Sequence, residues 1–189
     1  MNILKLWGAL YWAWVASEVV ILLATRTRRS TGTVRDRGSL LILWPVIVGS
    51  ITAGIWIGET EPHTLFHGAH WIRYVALALL AAGLALRWAS IAALGKSFSA
   101  NVAIHSTQTL NKTGLFSLVR HPSYSGMLLI FLAMGMHTRN WLALAITVIP
   151  PTAALLYRIH VEELALREAF GQQYAEYSAN TKRLIPGIY

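Results

Sequence analysis

The stretch YSGMLLIFLAMGMHTRNWLALAITVIPPTAALLY, residues 124–157, decides the fold. It holds two apolar runs, Tyr124 to His137 and Trp141 to Tyr157, separated by the polar triplet Thr138-Arg139-Asn140. A helix needs roughly 20 apolar residues to cross the hydrocarbon core of a bilayer. Each run is short for that task alone. Joined by so tight a turn, they predict a helical hairpin that crosses and returns.

Three further runs lie upstream. Leu4 to Ala24 holds one acid, Glu18. It is too long for a signal peptide and lacks the small-residue cleavage pattern, so it reads as a span. Leu40 to Gly58 is broken gently by Pro45, and Trp71 to Leu94 carries Arg73 near its start and Arg87 near its end. An intramembrane acid is costly and is usually paired, and Arg87 or a residue of the tail is the natural partner of Glu18. Gly95 to Arg120 is too polar to span. The whole is therefore an all-α integral membrane protein of about five transmembrane helices in one domain, residues 1–189. Three spans occupy residues 1–94, the last two spans form the hairpin, and a cytoplasmic C-terminal helix follows.

Composition agrees. The chain has 189 residues, 55% hydrophobic and 13% charged. Soluble domains carry about 25% charged residues, so lipid must cover much of the apolar surplus. Eight tryptophans and seven tyrosines suit a protein with two water–lipid interfaces. The absence of cysteine excludes disulfides, thiolate metal sites and a cysteine nucleophile. The net charge of +8 reads as cytoplasmic loops facing anionic lipid rather than as a nucleic-acid surface. Arg26, Arg28, Arg29, Arg35 and Arg37 fill the first loop, and Lys96, Lys112 and Arg120 the third. Arg158, Arg167, Lys182 and Arg183 lie in the tail, whereas the loop from Glu59 to His70 has neither Lys nor Arg. With five spans the basic segments share one side, which places the N-terminus outside and the C-terminus in the cytoplasm.

Two clusters carry possible chemistry. Arg120-His121-Pro122-Ser123-Tyr124-Ser125-Gly126 opens the fourth span. Proline suits the first turn of a helix, and the free N–H groups there attract anions such as a cofactor carboxylate. The plainer reading is a helix start with Arg and His meeting lipid headgroups. Arg158-Ile159-His160-Val161-Glu162-Glu163 follows the fifth span. Arg158 and Glu162 are four apart and share a helix face. Arg preceding Glu is the weaker order for helix support, so stability is a poor reason for the pair. The plainer reading is a solvated charge run. Downstream, Val161, Leu164, Leu166, Ala169 and Phe170 form a helical stripe, Gly171 is a plausible C-cap, and Pro186 ends any structure. His63, His67 and His70 have a spacing that invites a metal, yet the loop offers only Glu59 and Glu61 as support and reads better as an interfacial or titrating loop. No Gly-x-Gly, P-loop, nucleophile elbow or HExxH occurs.

Taken together, Leu94-Gly95-Lys96-Ser97-Phe98-Ser99, Gln108-Thr109-Leu110, Gly114-Leu115-Phe116 and the Arg120 to Gly126 cluster resemble the isoprenylcysteine carboxyl methyltransferase family. So does the tail, through Arg158, Glu162-Glu163, Leu166, Phe170-Gly171, Tyr174, Tyr177, Thr181, Arg183 and Pro186. The resemblance covers Leu94 to Pro186, and phospholipid N-methyltransferases share a similar C-terminal half. It implies S-adenosyl-L-methionine as cofactor, no Rossmann sheet, and a catalytic, cofactor-binding half over residues 95–189. Carried over by motif, the cofactor contacts are Gln108, Thr109, Leu110, Asn111, Phe116, His121, Pro122, Ser123, Tyr124 and Glu162, with a further contact near Val102 to Ile104. Asn111 departs from the small apolar residue usual there. Arg158 would face the acceptor, with Arg158 and Glu162 as the catalytic pair and no metal.

The chemistry fits that resemblance. Methyl transfer from a sulfonium is an in-line displacement that needs alignment more than acid–base work. A carboxylate acceptor, with a pKa of about 4, is already an anion and needs a cation such as Arg158 to hold it. An amine acceptor would need a base, for which His121, His160 and Glu163 are candidates. The expected partners are a lipophilic or prenylated acceptor, reaching the site sideways between helices, and membrane lipids. The alternatives are an amine or phospholipid N-methyltransferase of the same fold, a membrane reductase using a nicotinamide cofactor, and a non-catalytic lipid-binding or transport protein.

Overall fold

The structure is a computed structural model that describes residues 2–25, 33–34, 38–61, 70–95, 98, 103–104 and 109–189. Helix α1 is Ile3–Thr25, α2 Ser39–Thr60 and α3 Trp71–Leu94, so the three upstream runs form helices close to their expected bounds. The short helix α4, Leu115–Leu118, leads into α5, Pro122–Thr138, and α6, Trp141–Phe170. Helix α7, Gln172–Asn180, follows. Two-residue strands β1, Thr33–Val34, and β2, Ala103–Ile104, pair antiparallel, and β2 lies against α6. This ladder ties the α1–α2 loop to the α3–α4 loop without changing the all-helical class.

Helices α1, α2, α3 and α6 are long and apolar enough to cross a membrane. Helix α5 has 17 residues, about 26 Å at 1.5 Å per residue, and is short of the roughly 30 Å core. It sits between α3 and α6, the elements it packs against most. The hairpin is as expected. Arg139 takes the left-handed conformation (φ 57°), and Asn140 caps α6 by accepting from the N–H groups of Leu142 (2.9 Å) and Ala143 (3.1 Å). That cap satisfies donors the helix start leaves open. The Asn140 amide also donates to the Glu61 carbonyl at 3.0 Å, which pins the hairpin to the end of α2.

One expectation changes. The fifth span and the tail helix are a single helix of 30 residues, passing through Pro150-Pro151 and on beyond Tyr157. The residues after Tyr157 include Glu, Leu, Ala and Arg, all good helix formers, with no breaker before Gly171. Gly171 stops the helix at φ 49°, a backbone angle that favours glycine, and its N–H bonds the Arg167 carbonyl at 2.9 Å. At about 45 Å, α6 outruns the hydrocarbon core by several turns. Pro45 likewise lies inside a continuous α2. Membrane helices tolerate such prolines because neighbouring groups resatisfy the freed carbonyls.

Helices α3 and α5 cross at van der Waals limit. A Cβ on Gly83 would stand 2.7 Å from the Gly126 carbonyl oxygen, and one on Gly126 would stand 2.7 Å from that of Gly83. Leu80, Leu84, Met127, Ile130, Phe131, Leu155 and Ile159 fill the core around this crossing. Outward, Leu23 is 76% and Leu41 79% exposed, which suits lipid rather than water. Contacts alternate along the bundle. Glu18, Ser39, Arg87, Ser123 and Arg158 meet at one end, and Trp7 stacks on His137 at the other.

Candidate active site

The Arg120 to Ser123 cluster opens α5, with Pro122 in its first turn. Its donors are bound internally. The N–H groups of Arg120 and His121 reach the carbonyls of Lys182 (2.7 Å) and Arg183 (3.0 Å), so the tail runs beside the helix start. The Arg120 guanidinium bonds Glu163 through Nε (3.0 Å) and Nη2 (2.9 Å), and bonds the carbonyls of Ser178 (2.9 Å) and Thr181 through Nη1. The anion-binding role that residue type suggests for Arg120 is therefore replaced by a clamp on the C-terminal segment. The competing acceptors lie 43 to 61 residues away in sequence, which is why spacing alone does not reveal them.

Glu163 is the centre of that clamp. It is 3% exposed and also receives Arg183 through Nη2 at 2.9 Å, while His121 Nε2 stands 3.3 Å from its Oε1. The hydrogen bond to Glu163 raises the Arg183 pKa further above its ordinary value. Tyr177 of α7 closes the same region by donating to the Phe116 carbonyl at 2.6 Å. Burial pushes the Tyr177 phenol up to about 12, so it stays a donor across ordinary pH.

Glu162 looks the other way. Its Oε2 accepts from the Tyr124 hydroxyl at 2.8 Å, and Tyr124 in turn accepts from Arg158 Nε at 3.1 Å. Arg158 and Glu162 do share a face, but they are linked through Tyr124. Arg158 also donates from Nη1 to Ser39 Oγ, at the start of α2, at 2.9 Å. The second Glu162 oxygen has no hydrogen bond among the described residues, and the side chain is half-buried. This carboxylate oxygen, on a side chain held by the half-buried Tyr124, is open to an amino or hydroxyl donor. Ser39 was beyond reach of the sequence because nothing in its surroundings announces a partner 119 residues on.

Beside this ladder lies a buried ion pair. Arg87 grips both oxygens of Glu18, with Nη2 to Oε2 at 2.6 Å, and gives Nη1 to Ser123 Oγ at 2.9 Å. Glu18 is thus paired with Arg87, as expected, and Ser123 is held from behind by that pair. Among the other motif residues, His121 is buried and stacks on Tyr124 with centroids 5.7 Å apart, and Phe116 is buried in α4. Asn111 shapes its own loop, accepting from the Thr113 N–H (3.0 Å) and hydroxyl (3.1 Å) and donating to the Ala93 carbonyl (3.3 Å). A small apolar residue could not make these three hydrogen bonds. Leu110 is half-buried and Thr109 exposed nearby, whereas Gln108 and Val102 lie outside the described residues. So do His63 and His67. Among the described residues no group of three His, Asp or Glu is placed to hold a metal.

A small cavity of about 40 Å³ reaches this site, lined by Glu18, Trp44, Arg87, Phe98, Tyr124 and Arg158 among others. Through Glu18, Leu22 and Trp44 it adjoins an apolar cleft of about 340 Å³ between α1 and α2 that runs to Tyr11 and Thr52. The site therefore has a polar end with a fixed cation and a lipid-facing apolar end.

Comparison with known proteins bears on this arrangement. Residues 75–168 match the family model described as the isoprenylcysteine carboxyl methyltransferase family. The match takes in most of α3, the whole of α5 and the Arg158 to Glu163 segment. A rice protein (Oryza sativa subsp. indica) named probable protein-S-isoprenylcysteine O-methyltransferase is 31% identical over 123 residues, 62% of this chain and 62% of that one. Methanethiol S-methyltransferase of Pseudomonas deceptionensis is 36% identical over 74 residues, 39% of this chain and 27% of that one. The solved structure of the eukaryotic intramembrane Ras methyltransferase ICMT superposes with TM-score 0.64 at 26% identity, over 76% of this chain and 51% of that one. The chain thus spans less than two thirds of each of these relatives.

Proposed function

Over residues 75–168 the chain belongs to the isoprenylcysteine carboxyl methyltransferase family, and from that premise we propose that it is an S-adenosyl-L-methionine-dependent methyltransferase whose acceptor is the carboxylate of a lipophilic, prenylcysteine-like molecule at the cytoplasmic membrane face. The observation that carries the reading is the Arg158–Tyr124–Glu162 ladder at the head of an apolar cleft. When bound, the cofactor supplies an electrophilic methyl group on sulfur. Glu162, with Gln108, Thr109, Leu110, Asn111, Phe116, His121, Pro122, Ser123 and Tyr124, forms its binding surface. Arg158 holds the acceptor carboxylate and turns one oxygen toward the methyl group. Tyr124 orients Arg158 and Glu162 together, so cofactor and acceptor are aligned by one hydroxyl. The apolar cleft between α1 and α2 takes the acceptor's lipid chain. The catalytic half, residues 95–189, thus works with Glu18, Ser39 and Arg87 from the N-terminal half, and the N-terminus lies outside.

The state of the candidate bases favours a carboxylate over an amine. Glu163 and His121 face each other inside a cluster with Arg120 and Arg183, and His160 is exposed on α6. A carboxylate among these cations is a weak proton acceptor.

The test is calorimetric titration of the detergent-purified protein with S-adenosylhomocysteine, with NADPH as control, followed by turnover of a prenylcysteine analogue. Binding of S-adenosylhomocysteine alone is expected. Arg158→Ala should lower turnover by about two orders of magnitude, as loss of a transition-state electrostatic contact does, with cofactor affinity little changed. Glu162→Ala should lose the cofactor. Binding of NADPH instead, or wild-type turnover by Arg158→Ala, would overturn the reading.

A further inference from the structure

At the opposite end of the bundle from the candidate active site, we infer that Arg73 and Arg139 form a binding site for the phosphodiester headgroup of an anionic membrane phospholipid. The two arginines come from different elements but reach the same level. The α3–α5 crossing sets Gly83 against Gly126 and Ile130, and Arg87 against Gly126, so the helices run antiparallel. Continued to the far end, that register brings Arg73, in the first turn of α3, level with the turn after α5 that holds Arg139. Both lie within electrostatic reach of His137, whose ring is fixed by stacking on Trp7 at 3.8 Å.

Part of their hydrogen-bonding capacity is unmet among the described residues. The Nε atoms of Arg73 and Arg139 and the Nδ1 atom of His137 are buried without a hydrogen-bond partner. Among the described residues neither arginine forms an ion pair. The nearby Glu61 approaches the hairpin through its backbone carbonyl, which Asn140 takes. Among the described residues no acid side chain pairs with these two half-buried guanidinium groups, and a phosphodiester suits their planar donor forks.

The surroundings identify the anion's source. Trp71 (60%), Tyr74 (63%) and Trp141 (50%) are exposed beside the two arginines. Tryptophan and tyrosine with large exposed surface settle at the headgroup level of a bilayer. The site therefore meets a lipid headgroup before it meets free phosphate in water. Arg73 and Arg139 take part in no contact of the methyltransferase site, so this inference stands apart from that function.

Native mass spectrometry of the full chain in detergent tests it, with dioleoylphosphatidylglycerol as probe and dioleoylglycerol, which lacks the phosphate, as its control. The protein should retain one phosphatidylglycerol in preference to the diacylglycerol. Each of Arg73→Gln and Arg139→Gln should weaken retention about fivefold and the double variant about 25-fold, as expected for one basic group each at an anionic lipid. Lys5→Gln removes an exposed charge from the same end of the bundle and should leave retention unchanged. Circular dichroism checks that each variant is folded; if the double variant is not, the single variants decide. Equal retention by wild type and the folded arginine variants would overturn the site, as would an equal loss in Lys5→Gln. Full displacement of the lipid by millimolar inorganic phosphate would also overturn it, since the site would then be one for a free anion.

Discussion

Glu162 and Glu163 are adjacent in the chain and have opposite tasks. Successive helix positions differ by about 100°, so one carboxylate meets Tyr124 while the other meets Arg120, Arg183 and His121. Removing one member of a buried ionic group strands the others, at a cost of about 3 kcal/mol. Glu163→Gln should therefore lower thermal stability by about that much, whereas Glu162→Gln, with its single hydrogen bond, should change it by about 1 kcal/mol or less. Thermal unfolding of the two variants in one detergent separates the roles. Equal melting temperatures would mean that the Glu163 cluster does not secure the tail. Residue types made both acids visible in the sequence, but their division of labour depends on Arg183 and the 178–181 carbonyls, which fold back from later in the chain.

At the scale of elements, the apolar runs were legible because lipid allows few alternatives to a helix. The hairpin was legible from Arg139 and Asn140, and Gly171 marked the helix end. The continuity of α6 was not, since the change from apolar to charged residues at Arg158 marks where the environment changes and not where the backbone does. Nor does the sequence reveal the closest contact in the bundle, because Gly83 and Gly126 look like any other glycines. There the prediction is direct. Gly126→Leu puts side-chain atoms where the Gly83 carbonyl already stands and should destabilise by about 2 kcal/mol or more. Gly49→Leu, with nothing within 4 Å of its Cβ, is the control and should melt close to wild type. A Gly126→Leu variant as stable as the control would show that α3 and α5 can separate freely.

Over the whole molecule, the polar end is held by contacts between distant segments, and one of them titrates. The Tyr177 phenol keeps its proton to about pH 12 against an ordinary value of 10.0. A raised pKa means that the fold favours the neutral form. The stabilisation is complete below pH 10 and is lost as pH rises from there toward 12. Hydrogen exchange of α7 should accelerate over that window in the wild-type protein, and Tyr177→Phe should remove the difference attributable to this group. Identical pH profiles for the two proteins would mean that the Phe116 carbonyl is not what anchors α7.

The hold of Arg120 on residues 178 to 183 also orders events during synthesis. The start of α5, where Tyr124 and Ser123 sit, is held on one side by Arg87 of α3 and on the other by segments made about 60 residues later. Arg158 must likewise travel back to Ser39, a residue made 119 positions earlier. A nascent chain halted between Gly171 and Ser178 has its apolar helices but not the Arg120 clamp on the start of α5. The clamp therefore closes only after every apolar helix has been made.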